Sequence, residues 1–314
     1  MKFFSSFIVL VLGAILLQNP AVSLALEIPT RPTDPQHPSS ANYPFQVKKQ
    51  ILKIQGRSLA LYLPDVQPMP ASKFPLVAFG HGQATDETGY EETSKHLARK
   101  GIAVVLPTYD TGFFDQEWVR MGQDFNTQVT TVLNQFSQVL DANQVIYAGH
   151  SKGAYVALMA AGSAQQVPNI NAMVLFAPAG FDQQSLNRID PNVPVTVVTS
   201  DADKVIKRSL IDDLFKSLKN VHKQLILVKS YQGLEADHFF PLSKSFFFGG
   251  KNGVSPFHFF ASWKFLVGAV QDVVAGGTLS NPYIYGSETT STGVAGLNHE
   301  IIRNWSVSGT EGEQ

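Results

Sequence analysis

From residue 46 onward the chain alternates between two apolar patterns. Short unbroken apolar runs fall at Leu76–Phe79, Ile102–Leu106, Val145–Ala148, Ala172–Phe176, Val195–Thr199 and Gln224–Val228. A strand buried on one face reads apolar-polar-apolar, whereas one covered on both faces reads as a continuous run. These runs therefore predict buried strands of a parallel sheet. Between and after them lie segments that predict helices: Glu91–Lys100, Gln123–Leu140, Ala154–Ala161, Arg208–Lys219 and Phe257–Val274. In the second of these, Phe125, Val129, Val132, Leu133, Phe136 and Leu140 step by three or four and so share one face. Ahead of the alternation, Gln46–Ile54 and Leu59–Leu63 read as an antiparallel pair joined near Gln55-Gly56. The expected fold is α/β, a mostly parallel eight-stranded sheet with helices on both faces. The connection from Phe176 to Pro194 is too short for a lid domain, so an open site is expected.

The two ends of the chain break the pattern. Lys2 precedes an uncharged apolar run, Phe7–Leu17, and small residues at Ala21-Val22-Ser23 and Ser23-Leu24-Ala25 offer cleavage positions. Eleven apolar residues are fewer than the roughly 20 that span a bilayer, so residues 1–25 read as a secretory signal peptide and not as a stable membrane anchor. The expected location is secreted or periplasmic. Residues 26–45, rich in proline, read as an extended leader, 46–277 as the main folded domain, and 278–314 as a C-terminal extension without clear structure.

Charge and cysteine usage narrow the function classes. A net charge of −1 with no Lys/Arg cluster leaves no electrostatic footprint for nucleic acid. With no cysteine, disulfides, a thiol nucleophile, a cysteine zinc site and a lipidated cysteine are all excluded.

The chemistry-bearing motif is Gly149-His150-Ser151-Lys152-Gly153, between the run ending at Ala148 and the helix beginning at Ala154. A serine at the apex of a sharp strand-to-helix turn needs small residues two before and two after it, and both are glycine here. Serine is a weak nucleophile until a base takes its proton and a third group orients that base. Among the later histidines, His222 precedes the last run at the wrong end of the sheet, His258 opens the last helix, and His299 lies in the extension. His238 follows the last run after a loop, where a base belongs. Acids near a carboxyl edge are Asp201 and Asp203, with Asp182 a third candidate.

Together with Phe79-Gly80-His81-Gly82, these residues resemble the α/β-hydrolase superfamily. The stretch Pro75–Gly82 followed by Leu97–Val105 is similar to chlorophyllase-like, dienelactone-hydrolase-like and bacterial cutinase-like esterases. The resemblance implies Ser151 as nucleophile, His238 as base and Asp203 as its acid, in the superfamily order. It also implies an oxyanion hole from the backbone N–H groups of Gln83 and Lys152, with His81 and His150 as packing residues. Lys152 and Gln83 stand where relatives often carry other side chains. Phe113, Phe114, Trp118, Phe181 and Phe239 lie in loops that would line a substrate pocket, and Phe246-Phe247-Phe248 would lie near it. The expected activity is hydrolysis of a small or polymeric carboxylic ester through an acyl-enzyme, without metal or cofactor. The alternatives are acyl transfer with the same residues and a non-catalytic binding protein that keeps the fold.

Overall fold

The computed structural model describes residues 28–68, 71–110, 115–164, 168–231, 233–244, 253–281 and the backbone of 299–303. The N-terminal stretch read as a signal peptide lies outside these residues, as do Phe113, Phe114 and 246–248.

The first two strands, β1 (Gln46–Ile54) and β2 (Arg57–Asp65), pair antiparallel through a two-residue turn at Gln55 (φ 53°) and Gly56 (φ 76°). Positive φ at both turn residues gives the twist that a tight hairpin requires. Then follow β3 (Phe74–Gly80), α1 (Glu91–Arg99), β4 (Ala103–Leu106), α2 (Trp118–Gln135), β5 (Leu140–His150) and α3 (Lys152–Ala161). The second half holds β6 (Ile170–Phe176), α4 (Gln183–Leu186), β7 (Val195–Ser200), α5 (Arg208–Ser217), β8 (Lys223–Val228) and α6 (Trp263–Val274). A ninth strand, β9 (His299–Arg303), pairs antiparallel with β8. The sheet order is β1-β2-β4-β3-β5-β6-β7-β8-β9, and β4 through β8 run parallel. The eight strands expected from the apolar runs are all present, and the extension adds the ninth.

Continuous apolar runs are required because both faces are covered. On β3, Leu76 and Ala78 join a core under α2, α3 and α5, with Phe125, Val129, Val132, Ala157 and Leu214. Val77 and Phe79 point to the other face, against Leu97, Ala98, Phe265 and Leu266 of α1 and α6. No helix among the described residues is long and apolar enough to cross a membrane.

Helix boundaries differ from expectation where an apolar spacing coincides with something else. The α2 helix starts at Trp118 and not at Gln123. Gly122, which breaks the apolar pattern, is where α2 touches α3: an added Cβ would meet Ala160 N at 2.9 Å. At the other end Leu140, four residues after Phe136, is the first residue of β5 and pairs with Phe74. The last helix opens with a widened π turn, His258–Ser262, before α6.

The topology fixes where a site can form. The chain leaves β3 toward β4 on one side and leaves β5 toward β6 on the other. The crevice between such diverging connections, at the carboxyl ends of β3 and β5, is where α/β sheets bind ligands.

Candidate active site

Two loops meet in that crevice, Gly80–Gln83 after β3 and the turn at Ser151 after β5. Ser151 has φ 56° and ψ −120°, a conformation unfavourable for a residue with a Cβ. Surrounding hydrogen bonds hold it there. Its N–H donates to Phe176 O on β6 (2.8 Å), and its carbonyl accepts from Ala154 N and Ala179 N (3.1 Å each). The flanking glycines are needed because backbone packs on backbone. A Cβ on Gly149 would lie 2.5 Å from the carbonyl carbon of Gly153, and one on Gly80 would lie 2.5 Å from Gly153 O.

The loop after β3 is braced by aromatic side chains. His81 lies flat on Tyr109 (4.6 Å, 5°), whose hydroxyl donates to His81 O. His81 Nδ1 lies 3.0 Å from Gly82 O, a carbonyl that only accepts, so this nitrogen carries the proton. Gly82 O and Gln83 N–H belong to one planar trans peptide and point in opposite directions. Holding the carbonyl therefore sets the direction of the Gln83 N–H. On the other side Gly82 N–H donates to Tyr90 Oη at 2.9 Å.

Of the candidate acids and histidines, the fold joins Asp203 and His238. Asp203 Oδ2 accepts from His238 Nδ1 at 2.8 Å, with only 2% and 3% of their side chains exposed. The other carboxylate oxygen accepts from the Val205 and Ile206 N–H groups, both at 2.8 Å. Desolvation pushes the Asp203 carboxyl up, but the His238 hydrogen bond and charge and the two backbone donors outweigh it, holding Asp203 below its ordinary 3.8. An ionised Asp203 fixes the proton on His238 Nδ1, which leaves Nε2 as the basic nitrogen. Asp201 instead accepts from Ser230 N and Oγ, and Asp182 caps α4 through Ser185 N. His222 offers its carbonyl to Val195 N at the far end of the sheet, and His258 Nδ1 accepts from Ser255 N.

His238 is brought against the turn by His150: the rings lie 4.7 Å apart, and His150 Nε2 is 2.9 Å from His238 O. Ser151 is 8% exposed. Among the described residues no hydrogen bond joins its hydroxyl to His238. The Lys152 backbone N–H lies in the first turn of α3, where no intrahelical acceptor exists.

Lys152 also has a role that its position in the motif does not reveal. Its side chain, 2% exposed, runs back to the loop after β4. The ammonium lies 3.0 Å from Asp110 Oδ1, off the line that a hydrogen bond needs, and donates to Asp115 O at 2.9 Å. Asp115 itself pairs with Arg120, which also binds Asp124 and Glu117.

The aromatic candidates separate into different environments. Phe239 stands edge-on to His238 (5.0 Å, 85°). Trp118 leans on Tyr155 (4.4 Å), and both line a cavity of about 640 Å³ beside α3, with Arg120, Asp182 and Arg188. Phe181 packs against the core under α2 and α3. The sequence signalled the turn at Ser151 and the Asp203 and His238 that the fold joins, but not Tyr90, Tyr109 or Asp110, whose contacts are distant in the chain. Compared with protein-family models and with curated proteins, the chain matches none.

Proposed function

We propose that this protein is an exported serine hydrolase of the α/β-hydrolase type that cleaves carboxylic esters. The observation that carries this reading is the buried Asp203–His238 hydrogen bond, with His238 packed on His150, the residue before a positive-φ serine on a glycine-flanked turn. In the proposed reaction Ser151 Oγ attacks the ester carbonyl while His238 Nε2 takes its proton. The Gln83 and Lys152 N–H groups stabilise the oxyanion, a contribution of about 3 kcal/mol per donor in this kind of chemistry. His238 then gives the proton to the departing alcohol. Water, activated by the same histidine, releases the acid from the serine. Hydrogen bonds between nucleophile and base are often long without substrate and tighten in the complex, which fits the arrangement at Ser151.

Hydrolysis of a chain-length series of p-nitrophenyl esters tests the reading. Activity is expected from the parent and a loss of about 10³-fold or more from Ser151→Ala. Full activity in the purified Ser151→Ala protein would overturn it. Export rests on the Lys2 and Phe7–Leu17 pattern, and N-terminal sequencing of protein recovered outside the cytoplasm checks it: a mature start at Leu26 or Leu24 is expected.

A further inference from the structure

His150 is buried (1% exposed), with its ring 4.7 Å from that of His238. Its two nitrogens bridge separate parts of the site. Nε2 lies 2.9 Å from the His238 carbonyl, and Nδ1 lies 2.8 Å from Tyr90 Oη. The direction of each bond follows from chemistry. A carbonyl only accepts, so Nε2 carries the proton, and Nδ1 of the neutral ring must then accept from the Tyr90 hydroxyl. Tyr90 is 1% exposed, and burial pushes its phenol up, so the hydroxyl keeps its proton and remains a donor. Its oxygen in turn accepts from Gly82 N–H. The result is one directed chain: Gly82 N–H to Tyr90, Tyr90 O–H to His150 Nδ1, and His150 Nε2–H to His238 O.

We propose that His150 and Tyr90 are positioning residues that hold the base, His238, and the oxyanion loop at Gly82-Gln83 in a common register. This rests on the serine-hydrolase reading and deepens it. The geometry carries the inference because each end of the chain meets a part of the reaction centre. His238 belongs to the loop after β8, while Gly82 belongs to the loop after β3, and no sheet pairing joins those strands. A side chain from the residue before the nucleophile is placed to set all three against one another. The Tyr90 hydroxyl accepts and donates at once, so phenylalanine cannot substitute for it. Glutamine at 150 can: its amide N–H replaces the imidazole donor and its carbonyl oxygen the acceptor.

The test compares His150→Gln, His150→Leu and Tyr90→Phe with the parent, each checked for fold by circular dichroism. A second measurement on ¹⁵N-histidine-labelled Ser151→Ala protein reads the ring tautomer of His150 without requiring activity. The expected tautomer is Nε2–H, stable through neutral pH. Leu and Phe should lower kcat roughly 10- to 100-fold, the cost of a small misplacement of reacting groups. KM should stay within about threefold, because the lost contacts act on the transition state. Gln should recover most of kcat. An Nδ1–H tautomer, or a Leu variant that folds and keeps parental kcat, would overturn the proposal. If the Leu variant does not fold, Tyr90→Phe and the Gln–parent comparison decide the same question: parental kcat in Tyr90→Phe overturns it. Retained activity in Ser151→Ala would overturn the underlying reading and this proposal with it, whereas parental kcat in a folded His150→Leu protein, with Ser151→Ala inactive, overturns the proposal alone.

Discussion

At the scale of single residues, the chemistry depends on which polar groups the fold lets meet. The sequence puts Asp203 ahead of Asp201, with Asp182 a distant third; the hydrogen bonds follow that order, because Asp203 meets His238 while Asp201 is taken by Ser230 and Asp182 by the α4 cap. Asp203→Asn keeps the shape but favours the wrong His238 tautomer, and should lower kcat by roughly 10³- to 10⁴-fold with little change in KM. The same residue has a pH signature. Because folding depresses the Asp203 pKa below 3.8, its stabilisation is full above that value and is lost as pH falls through the lower folded value. Melting curves of parent and Asp203→Asn should therefore differ at neutral pH and converge in strong acid. A gap that persists unchanged at low pH would refute the assignment. Tyr90 and Tyr109 were not legible in the sequence, since a buried tyrosine reads the same whether its hydroxyl braces a loop or not.

At the scale of elements, sequence periodicity located the strands well and helix ends less well. Strands buried on both faces must be apolar throughout, so their runs are unambiguous. The ends of α2 were misleading because Gly122 serves close helix packing and Leu140 continues a helical spacing into a strand. The turn at Ser151 was legible because backbone contact with Gly80 admits no side chain at Gly153. Gly153→Ala should destabilise the fold by about 1–3 kcal/mol, toward the upper end since the opposing atoms are backbone, as read by urea denaturation. The Lys152 link to the loop after β4 makes a further prediction. Lys152→Met should cost about 2 kcal/mol, between the ranges for exposed and fully buried pairs. Adding Asp110→Asn should recover part of that loss, because it removes the stranded carboxylate. Additive losses in the double variant would show that the two side chains do not act as a pair.

At the scale of the whole molecule, the described part of the proline-rich leader is integrated into the domain. The leader residue Arg31 donates to Ser39 O, Ser40 O, Tyr43 Oη and His96 Nδ1, and stacks near Tyr43, Phe259 and Trp263. His96 lies flat on Trp263 (4.1 Å) and reaches Pro38 O, so the leader is fixed to α1 and α6. Proline-rich composition concealed this, because the buried contacts come from polar groups. His96 must be neutral to accept from Arg31, and burial holds it well below 6.5; burial and the nearby Lys264 charge hold His37 at about 4. The unfolded chain takes up these protons near pH 6.5 and the folded chain does not, so stability should fall as pH drops from 6.5 toward 4. A melting temperature flat across that window in the parent would contradict the clamp. At the sheet edges, β9 covers β8 and the lysines Lys48, Lys49 and Lys53 mark β1, which limits edge pairing.

In the proposed reaction every part of the site converges on the reactivity of one serine, Ser151. The most direct measurement is covalent labelling of the folded protein with a fluorophosphonate, followed by peptide mapping by mass spectrometry. Stoichiometric modification of Ser151, lost in His238→Ala, is the predicted result. A correctly folded protein that is not labelled at Ser151, or is labelled equally without His238, would contradict the account.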